Sequence, residues 1–332
     1  MNHHGPVRIG VVGLGYWGPN IARNVFAAQD ASLAWVCDLR PSAVEAFASP
    51  YPGVRTTTSF ETMLADAELD AVAITTPVST HHGLARAALE AGKHVFVEKP
   101  LAPSSELARE LIRTAAERDH VLMPGHTFLY SPPVMRIRDL IRSGELGNIY
   151  FVSMSRVNLG MHQSDVSVLW DLGPHDFSIL MYWLGERPSR VMTMGRACIV
   201  PGQQDVAFIS CEFDSGTIAH IELAWLAPSK LRRTTVVGSN KMVVYDDCST
   251  EPVRVYDSSV VPRNPESFGE FLKYRAGDIV SPRLDPAEPI GLQMEDFCHA
   301  IRSGSIPRSS PQLGLDVVRV IEAAEGSLLG AV

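Results

Sequence analysis

Along the first 125 residues, short apolar or β-branched runs alternate with longer stretches whose apolar positions recur at helical spacing. The runs fall at residues 8–12, 33–37, 71–75, 94–98 and 121–123, and the periodic stretches at 19–28, 43–48, 59–65, 80–91 and 105–118. The last two stretches end near Gly92 and Asp119-His120, as helices do. Strands alternating with helices in this way predict βα units and a doubly wound parallel sheet.

The texture changes after Met123-Pro124-Gly125. A helical segment at 134–143 precedes a strand at 149–157, and a second helix, 172–184, stops at Gly185. Strand-like runs then follow at 191–199, 206–213, 217–226, 232–237 and 242–245, separated by Asp-Ser-Gly, Ala-Pro-Ser and Gly-Ser-Asn turns. They predict an open antiparallel sheet. Residues 257–289, rich in Pro, Ser and charge, read as a long surface loop, and helices at 291–303 and 313–329 follow. The fold class is therefore α/β, with a domain at residues 1–125 and a second α/β domain, built on the open sheet, at 126–332.

Composition narrows the class. At roughly 100 to 200 residues per domain, 332 residues suit two domains. With 45% hydrophobic and 20% charged residues the chain is neither disordered nor fibrous. The 29 basic and 37 acidic residues leave a charge of −8, which offers nothing to a nucleic-acid backbone or an anionic membrane. No apolar run approaches the roughly 18 residues of a membrane helix, and the start carries no signal peptide. Five cysteines without a CxxC pair read as reduced thiols, so a cytoplasmic, metal-free protein with a small-molecule partner is expected.

Chemistry enters at residues 13–18. Gly13-Leu14-Gly15-Tyr16-Trp17-Gly18 fits G-x-G-x-x-G directly after the first strand and before a helix. The first glycine permits the tight turn, the second a close backbone approach to pyrophosphate, and the third close helix packing. The helix N-terminus supplies N–H groups to the anion. Asp38 follows the second strand, 20 residues past Gly18, where a carboxylate accepts hydrogen bonds from the adenosine ribose 2′-hydroxyl and repels a 2′-phosphate. The motif predicts a Rossmann domain that binds NAD; Arg40, two residues on, leaves NADP open. Thr75-Thr76-Pro77 and Glu98-Lys99-Pro100 end two further parallel strands, where open α/β sheets bind ligands, and His81 is grouped with these cofactor residues.

Together G-L-G-Y-W-G, T-T-P, E-K-P and the later D-L-G-P-H resemble the glucose-fructose oxidoreductase, inositol dehydrogenase and MocA family over essentially the whole chain. The resemblance implies a Rossmann domain followed by an α/β domain whose open sheet mediates a homodimer or homotetramer. It further implies that Lys99 is catalytic, that the Lys99-Pro100 bond is cis, and that Asp171 and His175 match the family's D-x-x-x-H. Because proline is tolerated in a helix's first turn, Pro174 suggests that Asp171 caps the helix. A capping Asp and a packed His remain the plain alternative for this pair.

Residues 125–132, G-H-T-F-L-Y-S-P, occupy a place where many relatives carry an arginine-containing stretch, and this chain has none there. The G-Y-W-G-P-N, H-T-F-L-Y and L-W-D-L-G-P-H-D segments look most similar to members that oxidise the C3 hydroxyl of nucleotide-linked or antibiotic sugars, several of which feed a pyridoxal-phosphate aminotransferase. His126, Tyr130, Arg156, Asn158, His162, Asp171 and His175 are the candidate substrate residues, with Lys230 a further pocket candidate. The expected reaction is oxidation of a secondary sugar hydroxyl, with His175 taking the proton, Lys99 stabilising the alkoxide and Asp171 orienting substrate or His175. The alternatives are an inositol or free-sugar dehydrogenase, a sugar–sugar oxidoreductase with tightly held cofactor, and a non-catalytic NAD(H) sensor.

Overall fold

A computed structural model describes residues 5–160, 166–262 and 272–328, and these form two compact units. The first comprises the described residues of Met1–Ser131 and Ala287–Arg319. Its strands are β1 (Val7–Val12), β2 (Ala31–Cys37), β3 (Arg55–Thr57), β4 (Ala71–Ile74), β5 (His94–Glu98) and β6 (Leu122–Gly125). They pair in parallel in the order β3-β2-β1-β4-β5-β6. β4 is buried at every position, which is why its sequence, A-V-A-I, has no polar residue. The connecting helices are α1 (Gly18–Ala27), α2 (Pro41–Ala48), α3 (Phe60–Leu64), α4 (Val78–Glu90) and α5 (Ser105–Glu117). Ser59 and Ser104 cap α3 and α5, each hydroxyl accepting an amide N–H at 3.2 and 3.3 Å respectively. Val72, Ile74, Val97, Leu89 and Leu111 belong to one core beneath these helices.

The chain reverses strand order between β1 and β4, which lie side by side. This is the switch point at which an open α/β sheet leaves room for a ligand beyond the strand ends. The short β3 was not anticipated, because Arg-Thr-Thr is neither apolar nor buried enough to give a signal.

The division at residue 125 differs from the compact units. A 3-10 turn at Thr127–Tyr130 and α8 (Pro289–Ser303) lie in the first unit, and α9 (Pro311–Gly326) begins there. Side-chain chemistry explains the return of α8. Arg23 grips Glu288 at 2.5 and 3.1 Å, Thr127 donates to Gln293 at 2.9 Å, and Met294 and Phe297 are fully buried.

The second unit comprises the described residues of Pro132–Pro286 and Val320–Val332. It contains α6 (Pro132–Arg142), β7 (Ile149–Val157), α7 (Val168–Leu184), β8 (Arg190–Arg196), β9 (Val206–Glu212), β10 (Ile218–Ala224), β11 (Leu231–Gly238), β12 (Met242–Asp246), β13 (Val253–Pro262) and β14 (Leu272–Val280). The sheet order is β14-β13-β12-β11-β7-β10-β9-β8. All neighbours are antiparallel except β7 and β10, so the sheet is mixed at its centre. One face buries Val152, Met154, Ile209, Ile221 and Val236, while Phe151, Met192, Met194, Phe208 and Ile218 are exposed.

Two expectations are corrected here. Part of the stretch read as a loop, residues 257–289, forms the second half of β13 and all of β14, an antiparallel pair whose polar residues disguised it. Helix α7 starts at Val168, not at residue 172, so Ser167 rather than Asp171 occupies the cap position and Pro174 lies inside the helix. Ser167 makes no side-chain capping bond, which removes the usual sequence signal for the start. The helix does stop at Gly185.

Candidate active site

In the first unit the glycine loop follows from local geometry. Gly13 has φ +93°, and a Cβ there would lie 2.7 Å from the Thr76 methyl and 2.9 Å from the Thr75 backbone. A Cβ on Gly18 would overlap the Gly13 carbonyl oxygen, so the start of α1 can press against the turn only without a side chain. A Cβ on Gly15 would meet nothing within 4 Å, leaving its backbone open to a ligand. Thr75 pins the loop from β4: its hydroxyl donates to the Val12 and Gly13 carbonyls at 3.0 and 2.5 Å. Helix α1 has no side-chain cap and no acidic residue in its first turn, so its N-terminal amides present uncompensated positive charge. These are the features that a pyrophosphate needs, and the residues present fit NAD.

Asp38 is buried at the end of β2 and serves the same loop. One carboxylate oxygen accepts the Leu14 amide at 2.7 Å, while Arg40 contributes its own amide at 2.9 Å and guanidinium contacts at 3.0 and 3.1 Å. Arg40's hydrogen bond, outweighing burial, holds the Asp38 carboxyl down to about 2, so it is ionised across the physiological range. Tyr16 and Trp17 stand exposed as an edge-on aromatic pair with centroids 5.1 Å apart.

The T-T-P and E-K-P turns are joined from behind. The ring nitrogens of buried His81 lie 2.8 Å from the Pro100 carbonyl oxygen and 2.9 Å from that of Thr76. Both polar atoms of His81 thus meet the main chain, and the residue fastens the two loops. The Lys99-Pro100 bond is cis. Burial raises the Glu98 carboxyl to about 7 against the opposing pull of Lys99.

At the end of β6, His126 is 1% exposed, and neither of its ring nitrogens has a hydrogen-bond partner among the described residues. Burial, with the Lys99 charge assisting, lowers it to about 3. Tyr130 has a different position from a substrate residue. Its hydroxyl donates to Asp296 at 2.6 Å and accepts the Ser309 amide at 3.1 Å, so it ties the 3-10 turn to α8 and the segment after it.

In the second unit, Asp171 and His175 are both half-buried, one helical turn apart on the same face of α7. The Trp225 indole, just past β10, donates to Asp171 at 3.1 Å. Asn158, just past β7, donates its backbone N–H to the Ala224 carbonyl at 3.1 Å, and a Cβ on Gly160 would lie 3.0 Å from the Asn158 side chain and 3.3 Å from that of Trp225. Trp225, Asp171 and Asn158 therefore gather at one end of the central strand pair. Trp225 was missed by the sequence, where a strand-ending tryptophan reads as core.

Arg156 does not join that group. It is buried on β7 and forks onto Asp176 of α7 at 2.6 and 3.0 Å. Burial alone would lower its basicity, but Asp176's charge and hydrogen bond win and raise it. Lys230 is exposed in the turn before β11. His162 lies outside the described residues. Among the described residues no group of three or more His, Cys, Asp or Glu side chains could hold a metal ion, and no helix is long and apolar enough to cross a membrane.

Comparison with known proteins bears on this arrangement. Residues 7–126 match the oxidoreductase family with an NAD-binding Rossmann fold, and residues 134–244 match the GFO/IDH/MocA C-terminal domain. The chain is 33% identical to the inositol 2-dehydrogenase of Rhizobium meliloti over 97% of each chain. It is similar in structure to the UDP-N-acetylglucosamine 3-dehydrogenase of Acidithiobacillus ferrooxidans, with a TM-score of 0.81 and 25% identity over 97% of each. It is also similar to GenD2 of gentamicin A biosynthesis, solved with NAD, with a TM-score of 0.82 and 26% identity over 98% of this chain and 96% of that one.

Proposed function

Since the chain belongs to the GFO/IDH/MocA family of NAD-binding oxidoreductases, we propose that it oxidises a secondary hydroxyl, at C3, of a nucleotide-activated sugar or an aminoglycoside-type intermediate to the ketone. The observation that carries this reading is the pair Asp171 and His175 on one face of α7, with Asp171 oriented by the Trp225 indole. A histidine is the side chain best suited to take a hydroxyl proton near neutral pH. NAD, when bound, accepts the hydride.

The chain's own residues do the rest. His175 takes the hydroxyl proton, Lys99 stabilises the developing alkoxide, and Asp171 fixes the orientation of substrate or of His175. Gly13, Leu14, Gly15, Tyr16, Trp17 and Gly18 hold the dinucleotide phosphates, and Asp38 the adenosine ribose. The C3 position is supported by the likeness to the UDP-N-acetylglucosamine 3-dehydrogenase and to GenD2. The ketone would suit pyridoxal-phosphate-dependent transamination. The exposed apolar positions Phe151, Met192, Met194, Phe208 and Ile218 support a homodimer or homotetramer through the open sheet face. Free thiols at all five cysteines support a cytoplasmic setting.

A second reading, inositol oxidation, is favoured by the 33% identity to an inositol 2-dehydrogenase. The test is NADH formation by purified protein with UDP-N-acetylglucosamine and related UDP- and TDP-sugars, with aminoglycosides, and with myo-inositol and free sugars. Turnover in the first or second group, reduced about 10²- to 10⁴-fold in His175→Ala and lost in Lys99→Ala, is the expected result. Turnover with inositol alone would establish the second reading, and NAD binding without turnover would return the sensor or the tight-cofactor oxidoreductase.

A further inference from the structure

We infer that His126 belongs to the cofactor rather than to the sugar, and that its imidazole hydrogen-bonds the carboxamide of the nicotinamide ring. The inference rests on the reading that the first unit binds NAD. His126 directly follows β6, the last strand of the second βαβ half, and the charge of Lys99, just past β5, reaches it. Asp38 and the glycine loop place adenosine and pyrophosphate on the β1–β2 half, and a dinucleotide crosses the switch point, so its other nucleoside lies over the β4–β6 half.

The ring is 1% exposed, yet Nδ1 and Nε2 have no hydrogen-bond partner among the described residues. Buried polar atoms are almost always paired, because an orphan has lost its water without gaining a partner. The ring is also neutral, because burial and Lys99 lower it to about 3. A neutral imidazole offers one N–H donor and one bare nitrogen acceptor. A carboxamide offers the complement, an NH2 donor and a carbonyl acceptor. Neutrality matters as well: the pyridinium of NAD carries positive charge, and beside Lys99 a second cation would repel it. Lys99 acts on His126 through its charge and Glu98 lies against the neighbouring Gly125, and the Glu98 carboxyl, when ionised, favours a pyridinium.

Calorimetric titration of the purified full-length protein tests this without any sugar. His126→Phe should weaken NAD about tenfold, the loss of one or two neutral hydrogen bonds, while ADP-ribose, which lacks the nicotinamide, binds as before. His126→Asn, which keeps a donor and an acceptor, should recover much of the loss. On wild-type protein, 3-acetylpyridine adenine dinucleotide, which lacks the NH2 donor, should bind more weakly than NAD, and in His126→Phe that difference should vanish. Equal binding of NAD and the acetylpyridine analogue to wild type would overturn the inference, even where His126→Phe fails to fold. So would equal weakening of NAD and ADP-ribose, or unchanged NAD affinity with a raised KM for the sugar. Failure of every sugar to turn over would defeat the proposed reaction and leave this result standing.

Discussion

Asp38 holds the glycine loop and, in the proposed cofactor site, would hold the adenosine ribose with the same carboxylate. It accepts the Leu14 amide of the glycine loop and is clasped by Arg40, which itself reaches the Leu14 carbonyl at 3.3 Å. A 2′-phosphate would meet the Asp38 charge, and removing that charge would free Arg40 to pair with the phosphate. Asp38→Ser is therefore expected to raise the ratio of NADP to NAD affinity by about 10- to 100-fold, since a hydrogen bond to a charged group is worth about 1.5–3 kcal/mol. Titration with both cofactors checks it, and an unchanged ratio would show that Asp38 does not set the preference. The position of Asp38 was legible from its spacing behind the glycine motif. Its pairing with Arg40 was not, nor were the partners of His81 and Tyr130, because a sequence names polar groups without saying which carbonyl or carboxylate each will meet.

At the scale of elements, α7 joins the proposed chemistry to the core of the second unit. Asp171 and His175 share one face, whereas Asp176, the next residue along, is buried against Arg156 of β7. Both members of this pair are nearly inaccessible, and removing one leaves an uncompensated buried charge. Arg156→Met or Asp176→Asn is expected to cost about 3–5 kcal/mol in denaturant unfolding, and Arg156→Met combined with Asp176→Leu should recover most of it. Single variants costing less than about 1 kcal/mol would contradict a structural role for the pair. Helix α7 was legible as a helix from its apolar period, but Pro174 misplaced its start, since Ser167 caps nothing and the proline looked like a first-turn residue. The antiparallel pair β13–β14 was hidden for a related reason. Residues 274–280 of β14 are exposed, so that strand carries Arg and Asp where a core strand would be apolar.

In the whole molecule, the parallel sheet was the most legible part, because central strands buried on both faces must be apolar throughout. The pairing of β7 with β10 was not, since two strands more than 60 residues apart leave no local mark of their direction. The return of α8 to the first unit was equally silent until Glu288, Gln293 and Asp296 found Arg23, Thr127 and Tyr130. The central claim, oxidation at C3 of a sugar, is met most directly by following the hydrogen. The sugar that reduces NAD, carrying deuterium at C3, should deliver that deuterium to the reduced nicotinamide, as read by mass spectrometry of the cofactor. A reduced cofactor without deuterium would contradict the account.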